Sequence, residues 1–280
     1  MPLLSLRECA TATGLPLNEV RLLAQHVLRF TRTELLIREN DTITDEQHTV
    51  FHHLLTKRVE GEPIAYLTGE QDFYSRSFNV GPTVLIPRPE TEELVEKVLA
   101  SLPPTGQGQS RLRVVDVGCG SGAIAITLAL ENPRQLEVHA CDVSDKALLI
   151  AEKNATKLQA QVHFKSSDWL SGFESDPAFD LIVSNPPYIV YGDPHLQQGD
   201  LRFEPTAALT DFSDGLSAYR ALATAANRHL RPGGTLWVEH GYHQRESILE
   251  IFRAAGLSNC HGHQDLSGHD RFICAQRPAC

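Results

Sequence analysis

The chain contains no uninterrupted apolar run near the roughly 18 residues that a membrane-crossing helix needs, so no membrane span is expected. Its first ten residues hold Arg7 and Glu8 inside their only apolar run, which is not the pattern of a secretory leader. No C-x-x-C pair occurs among Cys9, Cys119, Cys141, Cys260, Cys274 and Cys280. Scattered thiols in a long chain imply reduced cysteines in a cytoplasmic protein. Thirteen histidines are present, and His261-Gly262-His263 invites a metal reading, but no H-E-x-x-H or Cys/His cluster supports it, so no metal site is expected. Basic charge is also short: 25 Lys and Arg against 35 Asp and Glu leave a net charge of −10. That balance disfavours a sequence-independent grip on nucleic acid, so no stable nucleic-acid binding is expected. Repeats and low-complexity segments are missing as well.

What remains is ordinary for a folded protein with a substantial core: 280 residues, 41% hydrophobic and 21% charged, enough for one large or two modest domains. Residues 1 to about 70 read as helices, with apolar positions at helical spacing in 17–30 (Val20, Leu23, Ala24, Val27, Leu28) and in 45–59 (Val50, Phe51, Leu54, Leu55, Val59). Polar breaks such as Arg38-Glu39-Asn40-Asp41 separate them, and Gly61-Glu62-Pro63 stops the last. A small helical bundle is the expectation. The runs 73–80 and 83–86, split by Gly81-Pro82, read as a β-hairpin. A helix with an acidic first turn follows from about Glu90.

From Arg111 onward strands and helices alternate. Strands are expected at 112–117, 137–142, 162–165, 181–184, 235–239 and 271–274, and helices at 123–131, 146–158 and 215–230. This alternation predicts a mostly parallel sheet covered on both faces, with ligands at the carboxyl ends of the strands. The domain boundaries expected are 1–72 for the helical domain, 73–87 for a hairpin linker and 88–280 for the α/β domain.

Val114-Val115-Asp116-Val117 runs straight into Gly118-Cys119-Gly120-Ser121-Gly122. Glycines at a strand-to-helix turn let backbone approach a ligand closely. Asp142 ends the next expected strand, where a carboxylate can accept from both hydroxyls of a ribose. An adenosine-containing cofactor is therefore expected. With Ala123 the loop also satisfies G-x-G-x-x-A, so the glycines alone leave a dinucleotide open. Three features favour S-adenosylmethionine. Asp116 places an acid beside the loop, suited to a cofactor with a sulfonium and an ammonium. Asp168-Trp169 follows the third strand, where a carboxylate can take the adenine amino group and an indole can cover its face. The third is Asn185-Pro186-Pro187-Tyr188, directly after 181–184.

Two consecutive prolines continue neither strand nor helix, and their carbonyls stay free to accept. The Asn185 side-chain oxygen and the Pro186 carbonyl can then hold one planar –NH2 group, with Tyr188 as a flat face beside it. This suits an enzyme that transfers a group to a conjugated nitrogen. An adenine-N6 methyltransferase would use the same tetrapeptide, an NAD-dependent oxidoreductase would leave it unexplained, and a non-catalytic cofactor-binding regulator would not need it.

The tetrapeptide resembles that of the amino-methyltransferases. Gly61–Gly69 (GEPIAYLTG), Leu85–Thr91 (LIPRPET), Ser184–Ile189 and His195–Pro205 (HLQQGDLRFEP) make the chain similar to the release factor N5-glutamine methyltransferases, the PrmC/HemK family, from about residue 15 to the C-terminus. His269 departs from that family's pattern. The resemblance implies a Rossmann-like class I methyltransferase domain with a mostly parallel seven-stranded sheet, a small N-terminal helical bundle and a linking hairpin. It implies methyl transfer from S-adenosylmethionine to the glutamine of the Gly-Gly-Gln loop of class 1 release factors, which modulates translation termination. It carries cofactor contacts onto Gly118, Gly120, Gly122, Asp142, Trp169 and Asn185, and substrate contacts onto Asn185–Tyr188.

Overall fold

A computed structural model describes residues 6–38, 41–104 and 110–279. The chain divides into two compact units: one runs up to Glu70 and takes in Gln197–Phe203, and the other holds Gln71–Leu196 and Glu204–Cys280.

In the first unit, helices α1 (Leu6–Thr13), α2 (Leu17–Leu28), α3 (Arg32–Ile37), α4 (Asp45–Val59) and α5 (Ile64–Thr68) enclose a core of Val20, Leu23, Phe51 and Leu55. Each such buried side chain contributes roughly 1.5–3 kcal/mol. α3 and α4 start on capping boxes, Thr31 with Glu34 and Thr44 with Gln47. Arg58 on α4 joins Glu19 of α2 (Nε–Oε2 2.6 Å) to Asp200 of the 197–203 segment (Nη1–Oδ1 3.0 Å).

The hairpin lies earlier than the sequence suggests. β1 (Glu70–Phe73) and β2 (Arg76–Asn79) form a two-stranded sheet around Tyr74-Ser75. Both turn residues have positive φ, 50° and 58°, the geometry of a tight two-residue hairpin turn. Tyr-Ser carries none of the glycine or asparagine that usually announces such a turn, whereas Gly81-Pro82 does. Gly81 instead opens a simple turn, closed by Val84 N–H to its carbonyl at 3.1 Å. The stretch 83–88 is freed from strand pairing and lines the site below.

The second unit is doubly wound. Its strands are β3 (Leu112–Val117), β4 (Leu136–Asp142), β5 (Val162–Ser166), β6 (Phe179–Ser184), β7 (Leu230–Glu239), β8 (Ser258–Gln264) and β9 (Asp270–Gln276), in the order β5-β4-β3-β6-β7-β9-β8. The pairs from β5 to β7 are parallel, and β9 is antiparallel to both β7 and β8. Helices α6 (Pro89–Ser101), α7 (Ala123–Glu131) and α8 (Asp145–Leu158) cover one face through Leu94, Val98, Ile126, Leu128 and Ala151. After the short α9 (Thr206–Leu209), α10 (Ser217–His229) and α11 (Arg245–Ala254) cover the other through Tyr219, Leu222, Ile248 and Phe252. Strand periodicity sorts β3 between them: Val114 faces the first cluster, Val115 and Val117 the second.

In this unit α9, α11 and β8 are additions to the strands and helices read from the sequence. β8 has no apolar alternation because it is the sheet's edge. The chain winds outward from β3 to β4 and β5, then returns to β6 on the other side of β3. That reversal opens a crevice at the carboxyl ends of β3 and β6, where the glycine loop and Asn185–Tyr188 emerge.

Candidate active site

The crevice holds a cavity of about 330 Å³. Gly118, Cys119, Gly120 and Ser121 line one side, Asn185, Pro186 and Pro187 another, and Asp142, Asp168 and Trp169 a third. The loop is pinned from below: Gly118 N–H and Cys119 N–H both donate to the Cys141 carbonyl, at 2.9 and 3.0 Å. The three glycines, all at positive φ, differ in purpose. A Cβ at Gly118 or Gly120 would meet no protein atom within 4 Å, so what those positions spare is space in the cavity they line. A Cβ at Gly122 would lie 2.9 Å from Ile126 Cδ1 and 3.1 Å from Ala151 Cβ, so that glycine permits helix packing.

Asp142 accepts from Gly120 N–H through Oδ2 and from Ser144 N–H through Oδ1, each at 2.9 Å. It shapes the loop while its remaining lone pairs border the cavity. Trp169 sits at φ 50°, a left-handed conformation uncommon for a large side chain, and its carbonyl accepts from Cys141 Sγ at 3.2 Å. Asp168 is exposed on the cavity rim.

Asp116 is placed differently from the sequence reading. Strand alternation turns it with Val114 toward α7, so its carboxylate lies under the loop and outside the cavity lining. Oδ2 accepts from Ala125 N–H at 3.1 Å and Oδ1 has no partner. Burial pushes this carboxyl up to about 7. Tyr188 also lies outside the cavity lining and packs against the α10–α11 cluster. Burial raises its phenol to about 12, so it stays neutral at physiological pH. Gln244 holds the loop there, donating from Nε2 to the carbonyls of Tyr188 (2.9 Å) and Gly215 (3.0 Å).

Asn185 is oriented by two residues to which sequence reading gave no role. Its Nδ2 donates to Thr91 Oγ1 at 3.1 Å, and Thr91 Oγ1 donates to Glu239 Oε2 at 2.7 Å. Thr91 is in the first turn of α6 and Glu239 ends β7; both are buried. With Nδ2 turned to the wall, Oδ1 is left as the acceptor available to a ligand. Glu239 carried the same signal as Asp142, an acid at the carboxyl end of a strand. Arg88 lines the cavity while its guanidinium pairs with the buried Glu204, whose other oxygen accepts Ile86 N–H at 3.0 Å. Asn185 and Pro186 thus border the same cavity as Gly118, Gly120, Asp142 and Trp169.

Comparison with known proteins identifies the family. The PrmC N-terminal domain matches residues 6–69, and the Methyltransferase small domain matches 95–198. The release factor glutamine methyltransferase of Neisseria gonorrhoeae is 49% identical over 258 residues, 92% of each chain. That of Escherichia coli is 40% identical over 261 residues, 93% of this chain and 92% of the other. This chain belongs to the release factor glutamine methyltransferase family. Among solved structures, the 16S rRNA methyltransferase RsmC of T. thermophilus, in complex with AdoMet and guanosine, aligns with a TM-score of 0.54 at 20% identity, covering 74% of this chain and 49% of that one. A methyltransferase from Pyrococcus furiosus aligns with a TM-score of 0.52 at 17% identity, covering 80% and 97%. These share the class I methyltransferase fold with this family member.

Proposed function

We propose that this enzyme methylates the side-chain amide nitrogen of the glutamine in the Gly-Gly-Gln loop of class 1 release factors, with S-adenosylmethionine as donor. The orientation of Asn185, with Nδ2 held by Thr91 and Oδ1 turned free, is the observation that carries this reading. The residues present fit the cofactor. Asp142 can accept from ribose hydroxyls, Trp169 can cover an adenine face, and Asp168 can take its amino group. The space beside Gly118 and Gly120 admits the adenosyl and methionyl chain.

When bound, the cofactor supplies a methyl group on a sulfonium, whose sulfur keeps the S–C electron pair as the new N–C bond forms. An amide nitrogen is a weak nucleophile because its lone pair is delocalised into the carbonyl. Asn185 Oδ1 and the Pro186 carbonyl accept from its two hydrogens, fix its direction and favour the positive charge that develops on it. Each contact lowers the barrier by on the order of 2–4 kcal/mol, by analogy with single oxyanion-hole donors. The displaced proton leaves to water. Tyr188 acts from behind the loop, keeping it rigid.

We assign the N-terminal helical unit to recognition of the release factor. Leu22, Leu36, Ile37 and Val50 are exposed on it, apolar surface that suits a protein partner. Mass spectrometry of the release factor peptide, with and without the enzyme, tests the activity. A gain of one methyl mass on the loop glutamine is expected, and an unmodified peptide rejects the reading.

A further inference from the structure

We propose that Glu239, acting through Thr91, decides which end of the Asn185 amide faces the substrate, so that the charge on Glu239 switches the site between accepting and rejecting an –NH2 group. The inference rests on the acceptor role assigned above to Asn185.

The chain of hydrogen bonds has a direction. An ionised Glu239 can only accept, so the single hydroxyl proton of Thr91 is committed to it at 2.7 Å. Thr91 Oγ1 is then left as an acceptor and must be met by a donor. Nδ2 of Asn185 is that donor, at 3.1 Å. This contact selects the NH2 end of the amide for the wall and leaves the oxygen for the cavity.

Protonation reverses the logic. A neutral Glu239 can donate to Thr91, Thr91 can donate onward to Asn185 Oδ1, and the amide turns over. The cavity would then present Asn185 N–H groups to the substrate's own N–H groups, and the contact becomes repulsive. An Asn amide has nearly the same shape in either orientation, so sterics alone do not choose between them.

Glu239 is buried at 1% exposure, and burial pushes its carboxyl up to about 7. Arg271 of β9 and the donors Thr91 and Asn185 favour its charge, whereas Glu90 of α6 opposes it. Tyr188 and Tyr219, the latter donating from its hydroxyl to the Glu239 carbonyl at 2.9 Å, stay neutral beside it. The switch therefore operates within the physiological range, with the accepting orientation above it.

Glu239 and Thr91 are positioning residues that act through Asn185; Thr91 also borders the cavity. The test is the pH profile of single-turnover methylation of a release factor by wild type, Glu239→Gln, Thr91→Val and Thr91→Ser. Wild type should lose rate below about pH 7, approaching tenfold per unit, as a single ionisation does. Glu239→Gln should lose that acid limb whatever its plateau rate. Thr91→Val should fall by at least about tenfold in kcat, with cofactor affinity unchanged, and Thr91→Ser should recover most of it. An acid limb that persists in Glu239→Gln, or a Thr91→Val enzyme with wild-type kcat, overturns the proposal. Should Glu239→Gln fail to fold, the Val and Ser pair decides alone. Failure of the underlying function is separable, because wild type itself would then leave the release factor unmodified.

Discussion

Ser184 Oγ donates to the Val117 carbonyl at 2.7 Å, fastening the last residue of β6 to the last residue of β3. One strand leads into Asn185–Tyr188 and the other into the glycine loop. Both groups are buried, so Ser184→Ala leaves a carbonyl without its partner. The variant should lose about 1–3 kcal/mol of stability in chemical denaturation. Its kcat should fall more than its cofactor affinity, because the two loops no longer keep one spacing. Unchanged stability and turnover would show the tie to be incidental.

Gly120 and Gly122 should respond oppositely to alanine. Gly122→Ala drives a Cβ against Ile126 and Ala151 and should destabilise the fold by about 1–3 kcal/mol. Gly120→Ala meets only the cost of positive φ, about 1–2 kcal/mol. Its methyl enters space intended for the cofactor, so calorimetry should show S-adenosylmethionine binding weakened by more than about tenfold, a cost of 1.4 kcal/mol or more. Equal binding by both variants would reject this division of labour.

Asp116 makes a prediction about pH. Its carboxyl is raised from 3.8 to about 7 in the fold, so the native state keeps a proton that the unfolded chain releases between those values. The group therefore costs nothing below about pH 4, an increasing amount as pH rises, and its full penalty above about 7. Glu239 acts with the same sign. Urea midpoints at pH 5 and pH 8 should drop for wild type and drop less for Asp116→Asn. Parallel curves for the two proteins would show that Asp116 keeps an ordinary carboxyl.

Ile37, 77% exposed on α3, tests the recognition role of the helical unit. Ile37→Asp should leave the melting temperature within a few degrees, since little is buried there. Its KM for an intact release factor should rise, while turnover on a short Gly-Gly-Gln peptide stays level. A KM unchanged on both substrates removes this part of the account.

Much of the fold was legible because its signals are local. β3 is valine-rich and ends at a glycine loop, α7 is a nearly unbroken apolar run that follows it, and α4 has helical spacing; all three lie where these signals place them. β8 was not legible, since an edge strand such as SNCHGHQ needs no apolar face. The hairpin was misplaced because its Tyr74-Ser75 turn adopts positive φ without the residues that favour it. In the site, the glycine loop, Asp142, Trp169 and Asn185 could be named because each follows a strand end. Thr91 and Glu239 could not be joined to Asn185, from which they lie 94 and 54 positions away in sequence (185 − 91 and 239 − 185), because only the sheet order brings the ends of β6, β7 and α6 together. Asp116 misled because its neighbourhood to the glycines in sequence hides the direction in which the strand turns it.

The most direct test of the account is Asn185→Ala, assayed for S-adenosylmethionine binding and for single-turnover methylation of a release factor. Cofactor affinity should stay within a modest factor of wild type while the methylation rate falls by about tenfold to a thousandfold, the loss expected for one oriented acceptor. A methylation rate equal to wild type would contradict it.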